Sequence, residues 1–153
     1  GVAVSVRDSD EAVPLFDRIL VVHYVLQASG TPLTGRVVSY KELPGGSTYF
    51  PNFSQRAIRP ILKNFGAAPE RLVAVAAALG GQPVDYGDVA VTVSGFPRVP
   101  VTVVLWRGDE EFPPDGNLLF DGSVMDYLST EDVNVLSESL AHRLVRLLKE
   151  GSG

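Results

Sequence analysis

An α+β fold is the class this sequence predicts: a single domain over residues 1–150, with a small, mostly antiparallel sheet packed against about four helices. Three observations carry that expectation. Val89, Val91 and Val93 alternate with smaller or polar residues at the two-residue period of a strand. Val133, Leu136, Leu140, Leu144 and Leu147 recur at the spacing of one helical face. Between them, strands and helices follow one another without the regular strand–helix–strand alternation that builds a parallel sheet.

Val2, Val4 and Val6 open the chain as a strand, and the polar run Arg7 to Glu11 turns it. Pro14 suits a first helical position, and Leu15, Ile19, Val22 and Leu26 follow on one face, widened by Phe16, Leu20 and Val25. The segment Gly30 to Gly35 breaks this helix, and Arg36 to Tyr40 is β-branched and aromatic enough for a short strand. Leu43-Pro44-Gly45-Gly46-Ser47 reads as a turn-rich loop. A helix from about Asn52 to Phe65, stopped by Gly66, leads to a second from Pro69 to Leu79, stopped by Gly80-Gly81. The alternating run from Val89 and the β-forming run Val99 to Trp106, joined through Gly95 and Pro97, make a hairpin. Asn117 to Phe120 gives a further strand, and Ser129-Thr130-Glu131-Asp132 starts the last helix as a capping box does. Gly151 to Gly153 reads as a frayed tail or engineered scar, and Gly1 in place of Met as a processed, truncated or engineered start.

Composition narrows the function classes. The net charge of −5, from 18 acidic and 13 basic residues, disfavours general attraction to phosphate backbones, so nucleic acid is not expected as a partner. No cysteine is present, which removes disulfides, thiolate nucleophiles and any cysteine-ligated iron–sulfur cluster. The apolar run Ile19 to Leu26 is interrupted by His23 and falls far short of a span of about 20 residues. Together these features predict a cytoplasmic protein with no membrane span.

No complete catalytic signature occurs: neither Gly-x-Ser-x-Gly, nor His-Glu-x-x-His, nor a dinucleotide fingerprint. Gly30 and Gly35 have the outer spacing of a phosphate loop, but Arg36 and Val37 stand where Lys and Ser or Thr are required. Gly45 and Gly46 offer either backbone N–H groups to an anion or the conformational freedom of a turn. Tyr40, Tyr49, Phe50 and Phe53 precede Arg56, Arg59 and Lys63, whose spacing puts three cations on one helical face. An aromatic floor beside such a stripe suits a flat acidic ligand, and a core edge beside a solvated face accounts for the same pattern. His23, among apolar neighbours, is either a packed histidine satisfied by Gln27 or a backbone carbonyl, or an axial ligand for a haem or corrinoid. His142, near the end of the last helix, suits the helix dipole and is given no catalytic role. Asp109, Glu110, Glu111, Asp115, Asp121 and Asp126 read as a solvated acidic loop first, or as a partner-binding surface, or as oxygen ligands for calcium or magnesium, although their spacing is not that of an EF-hand and Pro113-Pro114 stiffens the loop.

Four ordered peptides also carry a likeness. Leu20-Val21-Val22-His23-Tyr24-Val25-Leu26, Gly30-Thr31-Pro32-Leu33-Thr34-Gly35, Glu42-Leu43-Pro44-Gly45-Gly46-Ser47 and Leu105-Trp106-Arg107-Gly108-Asp109-Glu110-Glu111-Phe112-Pro113-Pro114 resemble the bacterial and archaeal family called domain of unknown function 3786, over about Pro14 to Leu148. The resemblance implies an accessory role near redox or corrinoid enzymes of anaerobes, since some members resemble fusions to a cysteine-rich iron–sulfur domain. This chain has no cysteine, so a cluster would sit on a partner protein. The family's usual N-terminal segment is shortened here.

The leading expectation is therefore a non-catalytic accessory domain that binds a small ligand, planar and anionic like a tetrapyrrole, or a redox- or corrinoid-enzyme partner. Its site residues are His23, Tyr40, Gly45, Gly46, Tyr49, Phe50, Phe53, Arg56, Arg59 and Lys63. A metal-assisted hydrolase or transferase using Asp109, Glu110, Glu111, Asp115 and Asp121 is the first alternative, and a purely structural interaction module the second.

Overall fold

The computed structural model of the protein describes residues 33–96 and 99–151. The expected strand at Val2, the expected helix from Pro14 and His23 lie outside the described residues. Within them the fold is α+β: five strands in one antiparallel sheet, β1 (Val37–Ser39), β2 (Gln82–Val84), β3 (Val89–Phe96), β4 (Val99–Trp106) and β5 (Asp115–Asp121). The strand order is β1-β5-β4-β3-β2, so β2 to β5 form a meander and β1 closes the far edge. The short β2 edge carries Pro83, which disfavours addition of a further strand.

Register makes one face of this sheet apolar. Val93 pairs with Val101, Val101 with Phe120 and Phe120 with Val38, a row across four strands; Val91, Val103 and Leu118 form the adjacent row. All seven side chains are buried. The period of two that put valines at alternate positions of β3 and β4 is what aims them at one side.

Three helices cover that face, the last of them C-terminal. The first is a rod in three parts: α1 (Gly46–Phe53), a π-helical turn (Ser54–Ile58) and α2 (Arg59–Phe65). α3 (Glu70–Ala77) follows, and α4 (Thr130–Gly151) closes the chain. Phe53, Ala57, Ile61 and Phe65 from the rod, Leu72 and Ala76 from α3, and Val133, Leu136, Leu140 and Leu144 from α4 join the sheet rows in one core cluster. Each such side chain of Val, Leu, Ile or Phe size contributes about 1.5–3 kcal/mol when fully buried.

The rod starts earlier than the sequence predicts. Pro51 marks a helix start near Asn52 by its chemistry, yet it sits inside α1, and Leu43 to Ser47, expected as loop, already enters the helix at Gly46. The π-turn has the same origin one proline later. Pro60 has no N–H to donate to the carbonyl of Arg56 and its ring crowds that carbonyl, so the ladder shifts and the Arg59 N–H reaches back five residues to Ser54. The start of α4 agrees with expectation: the Asp132 N–H donates to Ser129 Oγ at 3.1 Å and the Ser129 N–H to Asp132 Oδ2 at 3.3 Å. Among the described residues no helix is long and apolar enough to cross a membrane.

Candidate functional site

The rod and α4 lie side by side and run in the same direction. Arg56 Nε meets Glu138 Oε2 at 3.5 Å, and one turn further Pro60 faces His142 and Val145. The seam between them has two ends of different character.

At its first end the expected aromatic residues are found, but inside the core. Tyr40 is 1 % exposed and Phe53 fully buried, with ring centroids 4.0 Å apart and planes within 4° of parallel. Phe53 in turn meets Phe120 edge-on at 6.4 Å, which ties the stack to β5. Burial pushes the Tyr40 phenol above its ordinary range; the neighbouring Asn134 amide and Arg56 guanidinium pull the other way, while Glu131 and Tyr49 add to the rise. Asn134 Nδ2 donates to Asn52 Oδ1 at 3.1 Å across the seam, and Thr130 Oγ1 donates to the Pro44 carbonyl at 2.8 Å. Tyr40, Tyr49 and Arg56 are thus brought near one another, but Tyr40 and Phe53 are packing residues. Phe50 is half-buried with Lys41 Nζ 4.3 Å above its ring, and Tyr49 points largely to solvent. Tyr40 and Phe53 offer no open floor to a ligand, because the face that carries these two rings is the face that buries them.

The glycines are likewise explained by backbone geometry. Gly45 caps α1 with φ +71°, and a Cβ on Gly46 would strike the Tyr40 carbonyl oxygen. The Gly46 N–H already donates to the Leu43 carbonyl at 2.8 Å, so it is not turned toward an anion.

The carboxylates of the alternative metal site do not converge. Asp109 Oδ1 accepts from the Glu111 and Phe112 N–H groups at 2.8 and 2.7 Å, which folds the loop on itself. Asp115 accepts from the next N–H, Gly116, at 2.8 Å. Asp121 accepts from the Thr34 and Gly35 N–H groups, both at 3.0 Å, and from the Ser123 N–H and hydroxyl at 2.9 and 2.6 Å. Burial alone would raise its pKa, but the Ser123 hydroxyl and these N–H donors outweigh it and hold the carboxyl down at about 2. Glu110 and Glu111 stay exposed, and among the described residues no three His, Asp or Glu side chains form a metal-holding group. Residues Arg107 to Pro114 instead wall a cleft of about 480 Å³ against Gly66, Ala67 and Pro69, pinned by Arg107 Nη1 on Glu70 Oε2 at 3.1 Å.

The second end of the seam is open. Pro60 on α2 and His142, Val145, Arg146, Lys149 and Glu150 on α4 line a groove of about 460 Å³. Lys63 shares the Pro60 face of α2 by its three-residue spacing, and Arg59 adjoins it; both are exposed. Of the chain's 13 Lys and Arg residues, Arg56, Arg59, Lys63, Arg143, Arg146 and Lys149 fall on these two helix segments, against an overall charge of −5. Glu138 offsets Arg56, but among the described residues no ion pair engages Arg59, Lys63, Arg146 or Lys149. Arg56, Arg59 and Lys63 are all exposed, and Arg56 meets Glu138 of α4. His142, Arg146 and Lys149 recur at four and three residues, a helical-face spacing that marks the α4 side of the groove in the sequence itself.

A family model described as "Domain of unknown function (DUF3786)" matches residues 1–143. No curated protein and no solved structure matches the chain at a significant level.

Proposed function

We propose, from the premise that this chain belongs to the DUF3786 family, that it is a non-catalytic accessory domain whose working surface is the basic groove between α2 and α4. The groove binds an acidic ligand, or an acidic surface of a redox- or corrinoid-enzyme partner, in the cytoplasm of an anaerobe. One observation carries the reading: Arg146 and Lys149 of α4, with Glu150 beside them, line a groove over Pro60 and Val145 on a protein that is otherwise acidic. Unpaired cations close together repel one another, and an anion placed between them removes that repulsion and gains charge-assisted hydrogen bonds. Arginine and lysine at these positions bind and orient carboxylates or phosphates; they do not by themselves break a bond.

The aromatic residues Tyr40 and Phe53 lend this reading their rigidity, by fixing the rod against β5, and not a stacking surface. Titration calorimetry with pyrophosphate, a glutamate-rich peptide, haem and cobalamin at low salt tests it. At least one of these acids binds, and the double variant Arg146→Glu/Lys149→Glu weakens it about tenfold or more, as does raised salt. Absence of binding by all four, or binding indifferent to the charge reversal, overturns the reading.

A further inference from the structure

We infer that the occupant of the α2–α4 groove is an extended acidic segment of a partner protein carrying one bulky apolar side chain, an inference that rests on the groove being the working surface. Shape argues first. The lining residues His142 to Glu150 extend about 12 Å along α4, with Pro60 alone facing them from α2, so the site is a trough open along its length. Small-molecule sites enclose some 70–90 % of the ligand's surface, and a compact ligand here would stay largely in water. An extended chain of about four residues, rising 3.2–3.4 Å each, covers the same length.

Chemistry argues next. Pro60 and Val145 give an apolar floor for one hydrophobic anchor, and Arg146 and Lys149 stand beside it where carboxylates on either side of such an anchor would lie. Arg146 presents a planar fork that matches a carboxylate with two parallel hydrogen bonds. Single-stranded nucleic acid, the other extended polyanion, is held by aromatic platforms on which bases stack, and among the described residues no Phe, Tyr or Trp lines this groove. Acid–apolar–acid sequence is thus the pattern that satisfies floor and rims together. The exposed loop Asp109-Glu110-Glu111-Phe112 has the apolar anchor, Phe112, 66 % exposed, with carboxylates on its N-terminal side, and it provides both a probe and a rival occupant in a second copy of the chain.

The test is fluorescence anisotropy with a labelled peptide Gly-Asp-Glu-Glu-Phe-Pro-Pro against the full chain, run beside pyrophosphate and haem titrations and sedimentation velocity. The inference expects peptide binding that weakens about tenfold with Arg146→Glu/Lys149→Glu, and about fivefold or more when the peptide's Phe becomes Ala. Charge-dependent binding of pyrophosphate or haem without peptide binding overturns this inference and leaves the groove's role intact. Failure of all three acids overturns both. Concentration-dependent self-association, abolished by the same reversal and by Phe112→Ser, assigns the groove to a second copy and overturns the partner assignment.

Discussion

Where the rod meets α4 near Tyr40, side chains engage one another within the fold: Tyr40 lies flat on Phe53, Asn134 donates to Asn52, and Arg56 pairs with Glu138. Two turns along, the same pair of helices leaves Pro60 and Val145 open beside Arg146 and Lys149. The difference teaches where interaction energy is already committed. The closed end fixes the helices in register; the open end keeps charges whose attraction is available to something else.

The largest expected effect breaks the closed end. Phe53→Ala removes a fully buried ring that touches both Tyr40 and Phe120 and lowers stability by about 3–5 kcal/mol in urea unfolding. By contrast Arg146→Glu/Lys149→Glu, on the exposed rim, changes stability by about 0.5 kcal/mol or less. Comparable losses from both variants would erase the distinction between the two ends.

Next comes the turn that delivers the rod. Gly46→Ala places a methyl against the Tyr40 carbonyl oxygen and costs about 1–3 kcal/mol, and Gly45→Ala, at positive φ, about 1–2 kcal/mol. Thermal unfolding reads both. If either substitution instead left stability unchanged and weakened anion binding, the glycines would be a ligand nest after all.

Carboxylates show the same division as the cations. Asp121, hydrogen-bonded to Thr34, Gly35 and Ser123, is held at about pKa 2, below the unfolded aspartate value. Its stabilisation is therefore complete above about pH 4 and is lost as pH falls through about 2. Asp121→Asn costs about 1–2 kcal/mol at neutral pH, a figure discounted for its partial exposure, and the gap from the parent protein narrows below about pH 4. A gap independent of pH would mean that the charge contributes nothing. Among the closed end's contacts the smallest expected change is Arg56→Ala, about 0–1 kcal/mol, since its pair with Glu138 is half exposed, with side chains 49 % and 34 % accessible.

Much of the sheet was legible in the sequence because its signal is local. Alternate valines in β3 and β4 state both strand and inward face, and Ser129 with Asp132 states the start of α4. The rod was half legible. The helix expected from about Asn52 to Phe65 is present, but it begins before Pro51 and passes Pro60 by a π-turn, with tertiary burial of Phe53, Ala57 and Ile61 holding it together. β2 was not anticipated, because a strand containing Pro83 is made by its pairing with β3 rather than by its own residues. At the site, the lining cations Arg146 and Lys149 lie on a helix the sequence predicts, and their three-residue spacing puts them on neighbouring parts of its face. That Pro60 of α2 faces them depends on packing between segments some 80 residues apart, which spacing within either helix does not encode. The aromatic floor failed for the complementary reason: rings beside a stripe in sequence turn to the opposite side of the rod when the core claims them.

The most direct test of the open end as binding surface is amide hydrogen exchange with and without a saturating glutamate-rich peptide. Slowed exchange confined to Arg59–Asn64 and to residues 142–150, with the Tyr40 end and the Asp109–Phe112 loop unchanged, is the result the account predicts. Slowing centred on that loop or around Tyr40, with the groove unaffected, would contradict it.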